Sequence, residues 1–426
     1  MAISRSGVFA VATERAGHRV RIVDLATSQV STLAGSGNDT FSDGQGTEAS
    51  FSAPEGIAIS SDDSFVLVVE GRGTTSHRVR RIVIATGVVT TLAGNGAGYA
   101  DGVGTLATFN QPRDIALSTD GSFALIADYS NKAVRRLDLN SSAVTTVAGS
   151  THGFADGTGS NSKFKGVFQI AIDPTGSYAL IADISNHRIR RLDIASLQVV
   201  TLAGSGAVGS LDGIGTYASF NQPTGVSIDP TGSYTLIVDY GNHRLRRIDM
   251  ATAQVTTLAG TGNASVVDGV AAQATFNQPT GINIDVGGTF ALVADAGNHR
   301  IRRIALTAPC SAGFHCPAGS SSATQYACSM GSYCPLGSAN MSVCALGSYC
   351  PSPLSQIACP AGSACNSTGL TSVASATPCA PMTFSSSGSS ACLPCDANAY
   401  SLGSASTCVS CGACAGTRTL NSSVLI

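Results

Sequence analysis

The segment GNHRLRRID at 241–249 brings together side chains that can do chemistry in three different ways. A histidine near a carboxylate can hold a metal ion, arginines can grip a phosphate, and the group as a whole can form a catalytic loop. Copies of the segment recur along the chain, however, and their repetition decides how each residue is interpreted. They read SNHRIRRLD at 185–193, GNHRIRRIA at 297–305 and SNKAVRRLD at 130–138, with looser copies at 17–24 and 76–82.

The copies follow a nearly fixed period. The histidine or its equivalent stands at 18, 77, 132, 187, 243 and 299, which gives steps of 59, 55, 55, 56 and 56 residues. A period of this length indicates a solenoid, a propeller or an array of repeated units. Three other marks keep the same phase: a DG pair beginning at 43, 101, 156, 212 and 268, TLAG or TVAG at 32, 91, 146, 201 and 257, and the residues Phe51, Phe109, Phe164, Phe220 and Phe276.

One unit, residues 220–260, shows how each repeat is built. FNQPTGVSID has alternating apolar residues and SYTLIVD a continuous apolar run, so both are predicted to be strands. HRLRRIDM and AQVTTLAG are predicted as a third and a fourth strand, and PTG and YGN as turns. Because no part of a unit has a helical period, the sequence predicts an all-β fold of four-stranded antiparallel meanders around an axis.

Three marks in these units resemble those of the NHL-repeat family of propellers. They are the FNQP-x-G segment, the D-x-x-N-H-R-I-R turn and the LAG-x-G…DG linker, and they recur in phase over six units. The resemblance covers residues 1–306 and implies a six-bladed β-propeller. It implies no particular activity, because one fold hosts many functions.

The ends of the repeat region differ from its middle. MAISRSGVFAVAT at 1–13 aligns with IALSTDGSFALIA at 115–127, so Met1 falls inside the first strand of a blade. The sixth unit stops after its third strand, just before Pro309 and Cys310. We therefore expect an N-terminally clipped first blade, a weak seam between blades 1 and 6, and further residues of the natural protein upstream of Met1.

Residues 307–426 are predicted to form a second, cysteine-rich domain. This region has one arginine, one carboxylate and few large apolar residues, so disulfides must replace an ordinary core. Four copies of C-x-x-G-x-x-C predict a disulfide framework whose pairing stays open, and C-x2-C…C-x2-C at 392–411 leaves a zinc site as the alternative. The 14 cysteines are Cys310, Cys316, Cys328, Cys334, Cys344, Cys350, Cys359, Cys365, Cys379, Cys392, Cys395, Cys408, Cys411 and Cys414.

The run C-x4-Y-S-x-G-x4-C-x-x-C at 395–411 resembles the cysteine-rich repeats of ephrin-receptor-like (GCC-type) domains. Dense disulfides imply an oxidising compartment, so we expect the protein to be extracellular or at the cell surface. No apolar run approaches the roughly 18 residues of a membrane span, and we expect the signal peptide and any anchor to lie outside this chain. Acceptor triplets for N-glycosylation occur at Asn38, Asn140, Asn263, Asn340, Asn366 and Asn421.

The hairpin turns and the DG loops are predicted to share one face of the propeller, because both leave an antiparallel blade on the same side. Aspartate and asparagine in such turns also bond their own backbone, and repetition in every blade favours that structural role over ligand binding. The candidate binding residues of this loop face are Asp128, Asn131, Asp183, Asn186, His187, Asp239, Asn242, His243, Asp295, Asn298 and His299.

The histidines invite comparison with the peptidylglycine-amidating lyases, which are NHL-type propellers that hold a metal near the central axis. In this sequence the histidines repeat at hairpin tips spread around a ring. Ligands must lie about 2 Å from a metal ion, so tips on neighbouring blades are too far apart to share one. We therefore predict no metal site and no other cofactor.

The arginines, 21 against three lysines, raise the possibility of a nucleic-acid partner. Removing Arg418 and Asp396 of the second domain from totals of 24 basic and 26 acidic residues leaves 23 and 25, a net charge of −2 for residues 1–309. This slightly negative net charge argues against a nucleic-acid partner. Asp193 and Asp249, which end two third strands, favour arginine–carboxylate pairing between strands or blades instead.

The sequence contains no G-x-S-x-G elbow, no P-loop and no H-E-x-x-H motif, so no catalytic residues are assigned. The non-repeating polar residues are Glu55, Arg113, Asp114, Lys163 and Lys165, and Glu55 and Asp114 are expected at one mouth of the channel. The sequence favours a non-enzymatic binding or adhesion module with a protein or glycan partner and the cysteine-rich tail as a stalk. The alternative is a metal-dependent lyase or hydrolase of the propeller type.

Overall fold

The computed structural model describes residues 1–71, 76–269, 271–306, 312–315, 326–335, 338 and 341–410. The chain divides into two compact units, Met1–Leu306 and Thr307–Ile426. The first unit is built of six antiparallel sheets, each a meander of consecutive strands. The predicted all-β, six-bladed propeller is therefore confirmed.

The sheets are called blades 1 to 6 in chain order, and their strands are numbered from the innermost outwards. The first strands are Ala2–Ile3, Pro54–Ile59, Pro112–Leu117, Val167–Ile172, Pro223–Ile228 and Pro279–Ile284. The second strands are Phe9–Glu14, Phe65–Glu70, Phe123–Asp128, Tyr178–Asp183, Tyr234–Asp239 and Phe290–Asp295. The third strands are Arg19–Asp24, Arg78–Val83, Ala133–Asp138, Arg188–Asp193, Arg244–Asp249 and Arg300–Ala305. The fourth strands of blades 1 to 5 are Val30–Ala34, Val88–Ala93, Ala143–Gly149, Gln198–Ala203 and Gln254–Ala259.

Blades 2 to 5 carry a fifth strand that the sequence did not predict. It is a two-residue segment of the inter-blade linker, and it pairs antiparallel with the fourth strand of the blade that follows, as Gly157 does with Val199. The linker is thereby bonded to the outer edge of the blade it enters. The four segments are Gly44–Gln45, Gly102–Val103, Gly157–Thr158 and Gly213–Ile214.

Short 3-10 turns are the only helical elements in the described part of the chain. One set lies in the linkers and another at the tips between second and third strands, where it shapes the hairpins. The linker turns are Gly46–Glu48, Gly104–Leu106, Gly159–Asn161, Gly215–Tyr217 and Ala271–Gln273, the hairpin turns are Ile184–Asn186, Tyr240–Asn242 and Ala296–Asn298, and Val373–Ser375 lies in the second unit.

The core of the propeller lies between adjacent blades. The second strands of blades 3 and 5 are buried throughout, and those of blades 2, 4 and 6 at all but one residue, which matches their continuous apolar sequence. The recurring phenylalanines are all fully buried, and Phe164, for example, packs in a cluster with Leu125 of blade 3 and Ile181 of blade 4. Each blade is therefore held by apolar contact with the next one.

Blades 6 and 1 meet at a smaller seam. The first strand of blade 1 has only two residues, and blade 6 has three strands among the described residues. Ala10, Phe290 and Leu292 form the buried cluster between them, and the amide of Ile3 donates to Asn283 Oδ1 at 3.0 Å. The ring is thus closed, by fewer buried side chains than at the other junctions.

The second unit is a series of two-stranded hairpins joined by disulfides. Each described C-x-x-G-x-x-C copy closes on itself, whereas Cys379 pairs with Cys392 and Cys395 with Cys408. Cys310, Cys316, Cys411 and Cys414 lie outside the described residues. The hairpin strands are Phe314–His315 with Tyr326–Ala327, Ser332–Tyr333 with Ser342–Val343, Ser348–Ser352 with Ser355–Ala358, Ser363–Ala364 with Thr377–Pro378, Thr383–Phe384 with Leu393–Pro394, and Ala399–Tyr400 with Val409–Ser410.

This pairing separates the cysteines that the zinc interpretation would group, since Cys392 and Cys395 belong to two different disulfides. All ten described cysteines are oxidised, as is typical of proteins folded in an oxidising compartment. The glycine of the repeated motif has a steric role. Gly347 has a φ of +80°, and a Cβ atom there would lie 2.1 Å from the carbonyl oxygen of Gly388. Among the described residues, no helix has the length and hydropathy needed to cross a membrane.

Candidate binding site at the mouth of the propeller channel

The predicted loop-face aspartates lie at the ends of second strands and are completely buried. Asp183 accepts hydrogen bonds from Asn186 Nδ2 at 2.7 Å and from the amide of Lys165 at 3.0 Å. Asn186 also donates to the carbonyl of Gly153 in the linker, at 2.8 Å. The same bonds recur at Asp128 with Asn131, Asp239 with Asn242 and Asp295 with Asn298.

In blades 2 to 6, a buried arginine at the centre of the third strand joins the carboxylate that ends the second strand to the linker. Arg190 donates from Nη1 to Asp183 Oδ2 at 3.0 Å and from Nη2 to Asp156 Oδ1 at 2.7 Å. It also donates to the carbonyls of Lys163 and Ala155, and its guanidinium lies 5.1 Å from the ring of Phe164. The equivalent residues in blades 2, 3, 5 and 6 are Arg80, Arg135, Arg246 and Arg302.

The expected pairing of arginine with carboxylate is therefore present, but the partners differ from those expected. The trailing aspartates end their strands in tight turns, where Asp193 accepts from Ser196 and Asp249 from Thr252. The partners of the buried arginine are the aspartate of the hairpin and the aspartate of the DG pair. In blade 2 Glu70 takes the place of the hairpin aspartate and accepts from Arg80 at 2.8 Å.

In blades 1, 2, 4 and 5, a histidine connects the blade to the next one. His187 has a left-handed backbone with a φ of 53°, and its Nδ1 accepts the amide of Gln222 at 3.0 Å, just before the first strand of blade 5. His243 accepts the amide of Gln278 in the same way, at 3.0 Å. An Nδ1 that accepts a hydrogen bond carries no proton. Burial, together with the adjacent Lys165 and Arg188, lowers the pKa of His187, which keeps it neutral.

His299 occupies the same backbone position in blade 6, where it is exposed and lines the central cavity described below. The repeated aspartates, asparagines and arginines, by contrast, bind one another and the backbone. Fully buried carboxylates with several internal donors have no surface to offer a ligand. The polar side chains of the repeated motif thus hold strands, linkers and blades together.

A cavity of about 1000 Å³ opens where the six first strands converge. Residues from all six blades line it, and it continues outwards between blades 1 and 6 along Val23 and Ile301. Its lining includes Gln222 and Gln278 of the repeated FNQP segment, but the first strands contribute residues that differ between blades. The second residue of the first strand is Glu55 in blade 2, Arg113 in blade 3 and Phe168 in blade 4, and it is threonine in blades 5 and 6.

Glu55 and Arg113 form the charged centre of this lining. Arg113 Nη1 lies 3.0 Å from Glu55 Oε1, and both side chains are largely shielded from solvent. The guanidinium also lies 4.9 Å from the centre of the Tyr129 ring and 5.6 Å from that of Phe168. The two rings meet edge to face at 6.4 Å. An ion pair held between aromatic rings is a rigid surface that offers both charge and apolar area to a ligand.

Asp114 lies next to this pair and reaches across the channel lining to the following blade. Its Oδ2 accepts the amide of Ile170 at 3.0 Å. Burial raises the pKa of Asp114 to about 7, although the hydrogen bonds from Ile170 and Ile115 favour the charged form. Gly56 is the matching residue in blade 2, where a Cβ atom would lie 2.6 Å from Asp114 Oδ1. The carboxyl is therefore enclosed, with a proton affinity suited to exchange near neutral pH.

Three of the five non-repeating residues singled out from the sequence thus line the cavity, namely Glu55, Arg113 and Asp114. Lys163 and Lys165 lie in the linker that enters blade 4, where Lys163 is exposed. Sequence reasoning missed the aromatic residues Tyr129, Phe168 and Tyr240 and the amides of Gln169, Gln222 and Gln278. A comparison of the units at the second residue of the first strand would have identified Phe168.

One group of three side chains in the described part of the chain has the spacing of metal ligands. It consists of His315, Cys328 and Cys334 in the second unit. The two cysteines are joined by a disulfide, and His315 Nδ1 lies 3.5 Å from Cys328 Sγ. Disulfide sulfurs are not thiolate ligands, so this group does not suit a metal as it stands.

No model of a known protein family matches the chain. Among curated proteins, NHL repeat-containing protein 2 of Gallus gallus is 27% identical over 346 residues, 71% of this chain and 46% of that protein. The Homo sapiens protein of the same name is 27% identical over 328 residues, 67% of this chain and 43% of that protein. Protein SUPPRESSOR OF QUENCHING 1, chloroplastic, of Arabidopsis thaliana is 29% identical over 64% of this chain and 27% of its own length. The chain therefore has homologues among NHL repeat-containing proteins, and it spans less than half of their length.

Solved structures share the fold at lower sequence identity. A protein of unknown function from Bacteroides thetaiotaomicron superposes with a TM-score of 0.54 at 22% identity, covering 71% of this chain and 68% of that one. An auxiliary nutrient binding protein from the same organism gives a TM-score of 0.53 at 20% identity, covering 70% and 66%. At such identities the likeness establishes the architecture alone.

Proposed function

We propose that this protein is a non-enzymatic binding or adhesion module that acts outside the cell or at its surface, and that the cavity at the channel mouth receives a protein or glycan ligand. The observation that carries this proposal is that two sets of polar residues have different positions in the fold. The repeated hairpin aspartates, asparagines and third-strand arginines are buried in bonds between strands and blades, whereas Glu55, Arg113 and Asp114, which differ from blade to blade, converge on one cavity. Clefts with a few convergent polar groups and aromatic walls are the usual form of a ligand site.

The lining favours a polar, uncharged ligand group, such as a sugar or a peptide segment. Amides at Gln222 and Gln278 supply donors and acceptors, and Tyr129 and Phe168 supply flat apolar faces. Glu55 and Arg113, the charged pair at the centre of the lining, neutralise each other. The auxiliary nutrient binding protein shares the architecture, which is compatible with a binding role for such a propeller.

The second unit supports an extracellular site of action and a spacer role. Its dense disulfides stabilise a segment that has little apolar core, and its sequence resembles ephrin-receptor-like repeats. Four of the glycosylation acceptors, Asn38, Asn140, Asn263 and Asn366, are exposed. Secretion from a eukaryotic host should therefore add glycans that an endoglycosidase removes, and a secreted product with no glycan at these positions would count against the proposed compartment.

The proposed ligand site is tested by blocking the cavity without touching the core. Thr280 is half-buried on the first strand of blade 6 and lines the cavity, so Thr280→Arg places a long side chain in the opening. Leu106→Arg, at an exposed linker turn, is the matched control. The full chain is screened on a glycan array and against a panel of cell-surface ectodomains. We expect a ligand that binds wild type and Leu106→Arg but not Thr280→Arg, while all three unfold at the same temperature.

Two results would contradict the binding-module proposal. One is the recognition of no glycan or ectodomain by the folded wild type. The other is a ligand whose affinity is the same for wild type and Thr280→Arg, because that ligand would bind elsewhere on the surface.

The enclosed Asp114 is the observation that favours a second candidate, a metal-dependent lyase or hydrolase of the propeller type. A carboxyl with a pKa near 7 beside a cavity is a common feature of catalytic sites. Elemental analysis of the purified chain separates the two functions. One tightly bound divalent ion per chain that disappears in Asp114→Asn would support the enzyme, whereas an equal metal content in the two proteins would leave the binding module.

A further inference from the structure

Three disulfides of the second unit share one local construction, so their reactivities can be compared directly. Each closes a C-x-x-G-x-x-C copy with a sequence separation of 6, and they are Cys328–Cys334, Cys344–Cys350 and Cys359–Cys365. Five of these cysteines are fully buried and Cys328 is 6% exposed. Loop length and burial are thus nearly the same, and a large difference in reactivity must come from the side chains around the sulfur atoms.

In the first three copies, the residue before the second cysteine is placed beside the disulfide of the next copy. It pairs, within a two-stranded hairpin, with the residue two positions before the next copy's first cysteine. Tyr349, for example, pairs with Ile357 and packs against the cluster of Cys359 and Cys365. The residues at this position are His315, Tyr333 and Tyr349, so one disulfide has an imidazole where the other two have a phenol.

The imidazole of His315 lies close to both sulfur atoms of its disulfide. Its Nδ1 is 3.5 Å from Cys328 Sγ, and a ring nitrogen lies within 4.8 Å of Cys334 Sγ as well. The ring stacks on Tyr326, with 5.5 Å between the ring centroids, which holds it in this orientation. His315 is half-buried, so its ring can exchange protons with the solvent.

An imidazole in this position acts on the charge that develops during thiol–disulfide exchange. In that reaction a thiolate attacks one sulfur of a disulfide, and the other sulfur leaves as a thiolate. A neighbouring imidazolium stabilises a thiolate and lowers the pKa of its thiol, which makes it a better leaving group. A phenol is neutral near pH 7 and gives no such charge stabilisation.

We propose that Cys328–Cys334 is a thiol–disulfide exchange site that is reduced by dithiols. One thiolate of the dithiol attacks Sγ of Cys328, the more exposed cysteine, and a mixed disulfide forms. The bond between the two protein sulfurs breaks, and Cys334 leaves with the electron pair and takes the proton of His315.

The second thiolate of the dithiol then attacks its own partner sulfur and releases Cys328, so that the dithiol becomes a disulfide. The protein has gained two electrons and two protons, and His315 regains its proton from the solvent. This site lies in the second unit and does not depend on the ligand cavity of the proposed function.

The test measures the reduction rate of each disulfide in the same molecules. The full chain is incubated with dithiothreitol at pH 7, samples are alkylated over time, and peptide mapping gives the fraction of each disulfide that is reduced. His315→Tyr installs the residue of the next two copies, and Tyr349→His brings an imidazole to Cys359. Cys344–Cys350 is the internal reference, because Tyr333 beside it is unchanged in every variant.

We expect Cys328–Cys334 to be reduced about tenfold faster than Cys344–Cys350 in wild type, and at a similar rate to it in His315→Tyr. Tyr349→His should accelerate the reduction of Cys359–Cys365 by a similar factor. A substitution that only loosened a hairpin would expose the sulfur atoms and speed reduction, so slower reduction in His315→Tyr cannot come from structural damage.

The pH dependence gives a second readout that a structural role of the histidine would not change. The ratio of the rate at Cys328–Cys334 to that at Cys344–Cys350 should rise between pH 8 and pH 6 in wild type, because more imidazolium is present. The falling concentration of the dithiol's thiolate slows both reactions equally and cancels in the ratio. In His315→Tyr the ratio should not change with pH.

Three outcomes would overturn the proposal. The first is equal reduction of the two disulfides in wild type, and the second is a rate ratio that His315→Tyr leaves unchanged. The third is a wild-type ratio that is constant between pH 6 and pH 8, since the imidazolium would then take no part in the exchange.

Discussion

Replacing Arg190 by methionine should be among the most destabilising single changes in the propeller. The substitution keeps the length of the side chain but removes the guanidinium that binds Asp183, Asp156 and two linker carbonyls. Asp183 remains fully buried, and its charge loses its only cationic partner in the described structure around it. Breaking a buried ion pair from one side costs about 3–5 kcal/mol, so we expect Arg190→Met to lower the free energy of unfolding by that amount.

Arg191→Met is the matched control, because it makes the same change one residue further along the same strand. Arg191 is half-buried and lies 4.1 Å from the centre of the Tyr178 ring. Losing this cation–π contact should cost about 0.5–1 kcal/mol. Urea unfolding is followed by far-UV circular dichroism and tyrosine fluorescence, since the chain has no tryptophan.

Equal destabilisation by the two arginine variants would refute the assignment of Arg190 as the centre of a buried network. If Arg190→Met does not accumulate as folded protein, Asp156→Asn provides a milder test. Asp156 is partly exposed, and an asparagine there keeps one acceptor oxygen but loses the charge that pairs with Arg190 and one of the two acceptors for Thr201, so a loss of about 1–2 kcal/mol is expected. An unchanged free energy of unfolding in Asp156→Asn would contradict the network as well.

Three further outcomes are expected. His187 accepts an amide and has a lowered pKa in the folded protein, so below about pH 6.5 the unfolded chain binds more protons than the folded one. The free energy of unfolding that wild type gains over His187→Asn should therefore shrink from about pH 8 to about pH 5, as measured by urea titrations. Gly204→Ala should destabilise the fold more than Gly232→Ala. Both glycines have a positive φ, but only a Cβ atom at Gly204 would meet a carbonyl oxygen, that of His187 at 2.5 Å. A lower calorimetric melting temperature for Gly232→Ala than for Gly204→Ala would contradict this. Peptide mapping without reductant should recover the five described disulfides, and free thiols or bound zinc at 392–411 would contradict them.

The repeat period was enough to predict the blades. Strand order, turn positions and the buried phenylalanines are all encoded within one unit, so comparing units along the chain reveals them. The same comparison located the irregular ends, where the first strand of blade 1 is short and blade 6 has three strands among the described residues. The pattern did not reveal the fifth strand, because a two-residue ladder has no periodicity of its own.

The roles of the polar residues depended on the tertiary structure. The segment GNHRLRRID offered Arg244, Arg246 and Arg247 as equivalent cations, yet only Arg246 points into the blade and meets Asp239 and Asp212. Its second partner lies 34 residues away in the linker, so local order could not single it out. Strand register decides which of three arginines is buried, and register is set by pairing with neighbouring strands.

The sequence by itself determined the repeating architecture, the division at the first cysteine and the oxidised character of the second unit. Only the tertiary structure decided that Glu55, Arg113, Tyr129 and Phe168 form one site. These residues come from three different blades, and they meet because each blade is rotated about a common axis. Periodicity records what the units share, whereas this ion pair and these aromatic rings are residues in which the units differ.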